Sequence, residues 1–169
     1  MLSSKLLDDI GRQILRILQE DGRISFNELG RRVGLSSPAV AERVRRMEEA
    51  GIILGYRAVV DQSRVGYPIM AFIRLSIPVS FLAQADELAK AIPEVLECHH
   101  LTGSDGVILK VVVSSVGHLE EVISQMGSCG MTTTAIVLSS PVVSRPIDPI
   151  KQQTPPPAVY GCRARLDCF

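Results

Sequence analysis

Apolar residues recur at three- and four-residue spacing over residues 1–60 and at alternating positions over much of 67–140. That contrast predicts a helical first part and a strand-rich second part. In the first part Leu7, Ile10, Ile14, Ile17 and Leu18 line one helical face. Asp8 or Asp9 near its start suits the helix dipole, and Gly22 is a natural stop. A second helix opens at Ser25-Phe26-Asn27-Glu28, a capping box in which hydroxyl and carboxylate satisfy orphan amides reciprocally. Phe26, Leu29 and Val33 are expected inside, and Gly34 ends this helix. Ser36-Ser37-Pro38 then opens a third helix, with Pro in its first turn, running through Val40, Val44 and Met47 to Gly51.

Two short helices joined by a Gly-containing turn of about four residues form the helix-turn-helix pattern, although any helical hairpin shares that spacing. The outer face of the third helix carries more information. At about 100° per residue, Ala39, Glu42, Arg43 and Arg46 point away from Val40, Val44 and Met47, with Arg45 on a flank. Arginines beside small residues near a helix N-terminus suit insertion into the major groove of double-stranded DNA. The same charges also fit a solvated face, with Glu42 and Arg46 as an i,i+4 pair. The candidate DNA contacts are Ser36, Ser37, Pro38, Ala39, Glu42, Arg43, Arg45 and Arg46.

In the second part, Tyr67–Ile77 alternates, with Ile69, Ala71, Ile73, Leu75 and Ile77 on one face and Met70, Phe72 and Arg74 on the other. Leu82, Ala85, Ala89 and Ile92 mark a helix, and Leu119, Val122, Ile123 and Met126 mark another. Strands are expected at Val95–Thr102, Val107–Val113 and Met131–Ser139. The order βαββαβ is the ferredoxin-like arrangement, so the predicted class is α+β. Both helices should cover one sheet face. Met70, Phe72, Ile108 and Val112 then leave the other face apolar, which burial against a second copy would remedy.

Charge sharpens the picture of the first part. The 169 residues carry 18 Lys+Arg and 18 Asp+Glu, yet residues 1–60 hold 10 basic and 8 acidic, for a net +2. Nine of those ten basic residues are Arg, so any affinity for DNA must come from a local patch. The chain shows no signal peptide and no apolar run of membrane-spanning length, which gives a cytoplasmic, nucleoid-associated protein and no membrane partner. The four Cys (98, 129, 162 and 168) are scattered and expected to be reduced. Cys98-His99-His100 places at most two ligands on one side of a strand, so no metal is expected. The expected domains are 1–53 for the helix-turn-helix, 54–66 for a hinge strand and linker, 67–143 for the ferredoxin-like domain, and 144–169 for a Pro-rich flexible tail.

The stretch LDDIGRQILRILQEDGRISFNELGRRVGLSSPAVAERVRRMEEAGIILGY, from Leu7 to Tyr56, closely resembles the N-terminal domain of the Lrp/AsnC (feast/famine) regulators. Further matches are Leu101-Thr102-Gly103-Ser104-Asp105-Gly106 and Thr132-Thr133-Thr134-Ala135-Ile136-Val137-Leu138-Ser139, so the resemblance covers roughly residues 5–147. It implies a winged helix-turn-helix, a hinge strand at Gly55–Val60, and a sensing domain that dimerises or assembles further into an octamer. It also implies transcriptional regulation by a small effector, usually an amino acid, without a cofactor. Gly103, Ser104, Asp105 and Gly106, with Thr132, Thr133 and Thr134, are the candidate effector residues. Glycines let backbone amides approach a carboxylate, and Asp105 can accept from an ammonium group, though Gly-Ser-Asp-Gly is equally good hairpin-turn chemistry. Gly106 stands where members of the family often carry a bulkier residue. An enzymatic alternative, a sirohaem decarboxylase on a similar two-domain fold, has only His99 and His100 in its favour.

Overall fold

The computed structural model describes residues 6–103 and 106–149. The chain divides into two compact units, one running through Arg57 and including the segment from Ser144, the other spanning Ala58–Val143. Among the described residues, no helix is long and apolar enough to cross a membrane.

The first unit holds three helices: α1 (Asp9–Glu20), α2 (Phe26–Val33) and α3 (Ser37–Glu49). Each start carries a side-chain cap. Asp8 Oδ1 accepts from the Gly11 amide at 2.7 Å, Ser25 Oγ from Glu28 at 3.2 Å, and Ser36 Oγ from Ala39 at 3.4 Å. Gly34 closes α2 in the left-handed conformation at φ 72°, where a β-carbon would be strained. The turn then folds back so tightly that a β-carbon on Gly30 would lie 2.5 Å from the Leu35 carbonyl oxygen. Ile14, Leu29, Val40, Val44 and Met47 from the three helices fill the centre. Each fully buried side chain of this size contributes roughly 1.5–3 kcal/mol of transfer free energy.

Three details differ from the pattern. Phe26 is 41% exposed rather than inside. The capping box forms only its serine half, because the Glu28 carboxylate accepts from Arg31 and Arg32 at 2.8–2.9 Å instead of returning to Ser25. Those guanidiniums lie on the same helix surface and draw the Glu28 pKa down to about 2. The hinge strand at Gly55–Val60 is not formed, so the first unit has no strand-built wing among the described residues.

The second unit contains β1 (Ile69–Ser76), α4 (Leu82–Ala91), β2 (Val95–His100), β3 (Val107–Val113), α5 (Val116–Gly127) and β4 (Met131–Ile136). Short 3₁₀ turns at Gln62–Val65 and Val79–Phe81 precede β1 and α4. The sheet order is β2-β3-β1-β4 with every neighbouring pair antiparallel, the topology expected of βαββαβ. Ala71, Ile73 and Leu75 of β1 and Val107, Leu109, Val111 and Val113 of β3 pack beneath Ala85 and Ala89 of α4 and Leu119, Val122 and Met126 of α5. Both helices therefore cover the same sheet face. The period of two along β1 and β3 dictates this, since slipping either strand by one residue would turn its apolar set outward.

Candidate nucleic-acid interface and effector site

On α3, Val40, Val44 and Met47 are buried, while Pro38, Glu42, Arg45, Arg46 and Glu49 are exposed on the opposite side. Ser37 and Ala39 sit half-buried in the first turn beside them. Ser36 spends its hydroxyl on capping the helix. Glu42 lies near the middle of the exposed face and gathers the neighbouring cations. Arg45 donates to it through Nε at 3.0 Å and through Nη2 at 2.8 Å to each oxygen, and Arg46 Nε stands 3.8 Å away. Arg45 is also paired with Glu49.

Arg43 behaves differently. Its two terminal nitrogens donate to the two carboxylate oxygens of Asp8, each at 2.9 Å. The guanidinium holds the Asp8 carboxyl below its ordinary pKa, aided by the Gly11 amide. Arg43 therefore joins the start of α1 to the middle of α3 and is turned toward the helical core rather than with Arg45 and Arg46. Sequence reasoning placed all three arginines together because it had no view of a partner 35 positions away. The angular position of Arg43, nearer the buried stripe than Arg46, was the signal for its separation.

The proposed effector residues are divided. Gly103 and Gly106 flank the β2–β3 turn in positive-φ conformations of 106° and 54°, closed by a hydrogen bond from the Leu101 amide to the Gly106 carbonyl at 2.8 Å. Gly106 also bridges to Leu75 at the end of β1. Ser104 and Asp105 lie outside the described residues. Thr132 and Thr134 are half-buried on the helix-covered side of β4, whereas Thr133 is exposed on the other face opposite Arg74. The three threonines therefore do not converge, as the alternation of a strand requires.

The uncovered sheet face carries Met70, Phe72 and Arg74 from β1, with Val112, Lys110 and Ile108 opposite them on β3. Phe72 is 36% exposed, Met70 and Ile108 are half-buried, and Val112 is buried. Polar groups border this patch: Lys110 donates to Glu97 at 2.9 Å, and His99 lies 3.2 Å from the same carboxylate. Lys110 is also the main cause of the lowered Glu97 pKa. Across the sheet, Cys98 and His100 face α4, where His100 Nε2 lies 2.7 Å from Asp86. Among the described residues, no group of three or more His, Cys, Asp and Glu side chains is placed to hold a metal ion.

The segment from Ser144 is expected to be flexible; within its described part, Ile147 is hydrogen-bonded to α1. Gln19 accepts from the Ile147 amide through Oε1 at 2.8 Å and donates to its carbonyl through Nε2 at 3.0 Å. Neither residue stood out in the sequence, since a polar position on a helix and an apolar one between prolines signal no pairing. Residues 150–169, with Cys162 and Cys168, lie outside the described residues.

Comparison with known proteins agrees with this two-part plan. Residues 7–48 match the AsnC-type helix-turn-helix domain, and residues 70–147 match the Lrp/AsnC ligand binding domain. The chain is 42% identical over 134 residues to the uncharacterized HTH-type transcriptional regulator YezC of Bacillus subtilis, covering 79% of this chain and 95% of that protein. It is 38% identical over 122 residues to the leucine-responsive regulatory protein of Rhizobium meliloti, covering 68% and 76% of the two. Among solved structures, the feast or famine regulatory protein of M. tuberculosis complexed with L-methionine superposes with a TM-score of 0.79 at 34% identity. That match covers 85% of this chain and 99% of the other. A transcriptional regulator of Neisseria meningitidis in complex with L-Met gives a TM-score of 0.79 at 28% identity, over 83% and 96%. These relatives are named as regulators, which favours regulation over the decarboxylase alternative. With both halves matched in order along the chain, this protein belongs to the Lrp/AsnC family of transcriptional regulators.

Proposed function

We propose that the protein reads specific sites in double-stranded DNA as a homodimer whose occupancy a small effector, an amino acid, adjusts. The exposed face of α3 carries this reading. Pro38, Ala39 and Glu42 on the first two turns of a capped helix, and Arg45 and Arg46 one turn further on, share one exposed face, backed by a buried stripe that fixes its rotation. Ser36 and Ser37 bring backbone amides of the helix start near phosphates, and Arg43 holds the helix in place from behind. The uncovered face around Met70, Phe72, Ile108 and Val112 is the surface proposed to join two copies. The L-methionine complexes of two structural relatives support an amino acid as the effector. Gly103 and Gly106, with Ser104 and Asp105 between them in sequence, are the proposed contacts, joined by Thr132 and Thr134 from the helix-covered side or Thr133 from the other. Regulation of transcription places the protein in the cytoplasm, at the nucleoid.

Selection of bound genomic fragments, with and without a panel of amino acids, tests the whole reading. A defined set of sequences that changes with one amino acid is expected. Arg46→Ala should weaken binding to a selected site by about 1–3 kcal/mol, the range for a bidentate base contact. Equal binding of variant and wild type in a salt-matched gel shift would refute the role of Arg46.

A further inference from the structure

We propose that Glu42 is a specificity-determining residue, which accepts a hydrogen bond from the exocyclic amino group of a cytosine and suppresses binding to unrelated DNA. This deepens, and rests on, the reading of α3 as the groove-binding helix. The α3 sequence holds Arg43, Arg45 and Arg46 against Glu42, Glu48 and Glu49, so its formal charge is zero. Arg43 is further committed to Asp8. The cations left on the exposed face are Arg45 and Arg46, and Glu42 pairs with both. A helix built to grip phosphates by charge alone would not carry a carboxylate at the centre of its exposed face.

The chemistry of that carboxylate restricts what it can do in the groove. It accepts hydrogen bonds only, and phosphates repel it. The major groove offers two donors, cytosine N4 and adenine N6, and the carboxylate pairing with cytosine N4 is the one geometry favours. Glu42 is the sixth residue of α3, within the two turns that approach base edges. A carboxylate has about four lone-pair sites, so Glu42 can keep Arg45 on one side while an amino group binds on the other. At a site lacking that amino group, the same charge is pressed toward the DNA without a partner. Discrimination arises from that penalty as much as from the bond.

The test is selection from a randomised duplex library by the full chain, its Glu42→Gln and Glu42→Ala variants, and Arg46→Ala, at matched salt. The affinity of each for an unselected random duplex is measured alongside, and circular dichroism checks the fold. Wild type is expected to select cytosine at one position per half-site. Glu42→Gln should move that preference to adenine, since a carboxamide pairs with adenine N6 and N7. Glu42→Ala should leave the position degenerate, with about tenfold less discrimination or more lost there, and bind the random duplex more tightly. Unchanged preference at every position in both Glu42 variants overturns the proposal, even if affinity for the random duplex rises. If the Glu42 variants behave as wild type while Arg46→Ala weakens the selected site, only the role of Glu42 falls. If wild type selects no sequence, the groove-binding reading falls and this inference falls with it.

Discussion

Replacing Asp8 by Ala should loosen the first unit by about 2 kcal/mol while leaving the exposed face of α3 intact. Two losses make up that figure. Asp8 caps α1 through the Gly11 amide, and such a cap is worth about 1 kcal/mol. It also accepts both nitrogens of Arg43 in a pair whose side chains are 43% and 29% exposed, which places the pair near the upper end of the surface range, about 1 kcal/mol. Asp8→Asn keeps a capping oxygen and loses the charge, so it should cost about half as much, as should Arg43→Ala. For a unit of this size each kcal/mol lowers the melting midpoint by about 4–8 °C. Because the chain has two units, hydrogen exchange at the α1 and α3 amides is the right measurement, and a double-mutant cycle between Asp8 and Arg43 isolates the pair. Acidity gives an independent check. Arg43 depresses the Asp8 pKa below 3.8, so the stabilisation is complete above that unfolded-state value and is lost as pH falls through the lower folded value. Arg43→Ala should therefore flatten the acid limb. If Arg43→Ala instead leaves amide protection unchanged, cuts affinity for a selected site and lowers the salt slope by about one, then Arg43 is a DNA contact and not a brace.

Three other perturbations probe the rest of the chain. Phe72→Asp puts a charge on the uncovered sheet face and should give monomers by light scattering; a persisting dimer would move the interface elsewhere. Deleting residues 148–169 keeps the Gln19–Ile147 bonds and should leave thermal stability and DNA binding as they are, whereas truncation after Val143 removes Ile147 and should speed exchange at the last turn of α1. Unaltered exchange after the longer truncation would show that those two hydrogen bonds contribute nothing to α1.

What could be read in advance was what periodicity and local chemistry control. The stripes through Ile14, Leu29 and Val40, the alternation of β1 and β3, and the helix starts at Ser25 and Ser36 all depend on residues within a few positions of one another. The uncovered sheet face followed from the same period. The competition for polar groups was not legible. Glu28 had two acceptable uses, capping its helix or pairing with Arg31 and Arg32, and the two guanidiniums won. Arg43 had a groove or Asp8, and Gln19 had solvent or the Ile147 backbone; both choices depend on elements brought together only by folding. The threonine run divides for a simpler reason. Adjacent strand residues that look like one cluster in a sequence are divided between two faces by the pleat.

The charge pattern links the proposed dimer to the proposed effector. With formal charge zero on the chain and on α3, one copy has little phosphate attraction to hold it on DNA, and base contacts must supply much of the affinity. In the proposed dimer, one helix seated in its half-site presents the second at an effective concentration on the order of mM, which raises overall binding by about 10²–10⁴ without any new contact. That gain exists only while the two sheet faces stay paired. A change of about 1.4 kcal/mol in pairing shifts dimer formation tenfold, comparable to losing a base contact outright. The proposed effector site at the β2–β3 turn adjoins the strand that carries Ile108 and Val112, where an effector would act on that pairing. A strongly basic recognition helix would weaken such control, because a monomer would then remain on DNA by charge alone. In the proposed dimer, the neutrality of α3 is therefore what would let pairing adjust DNA binding.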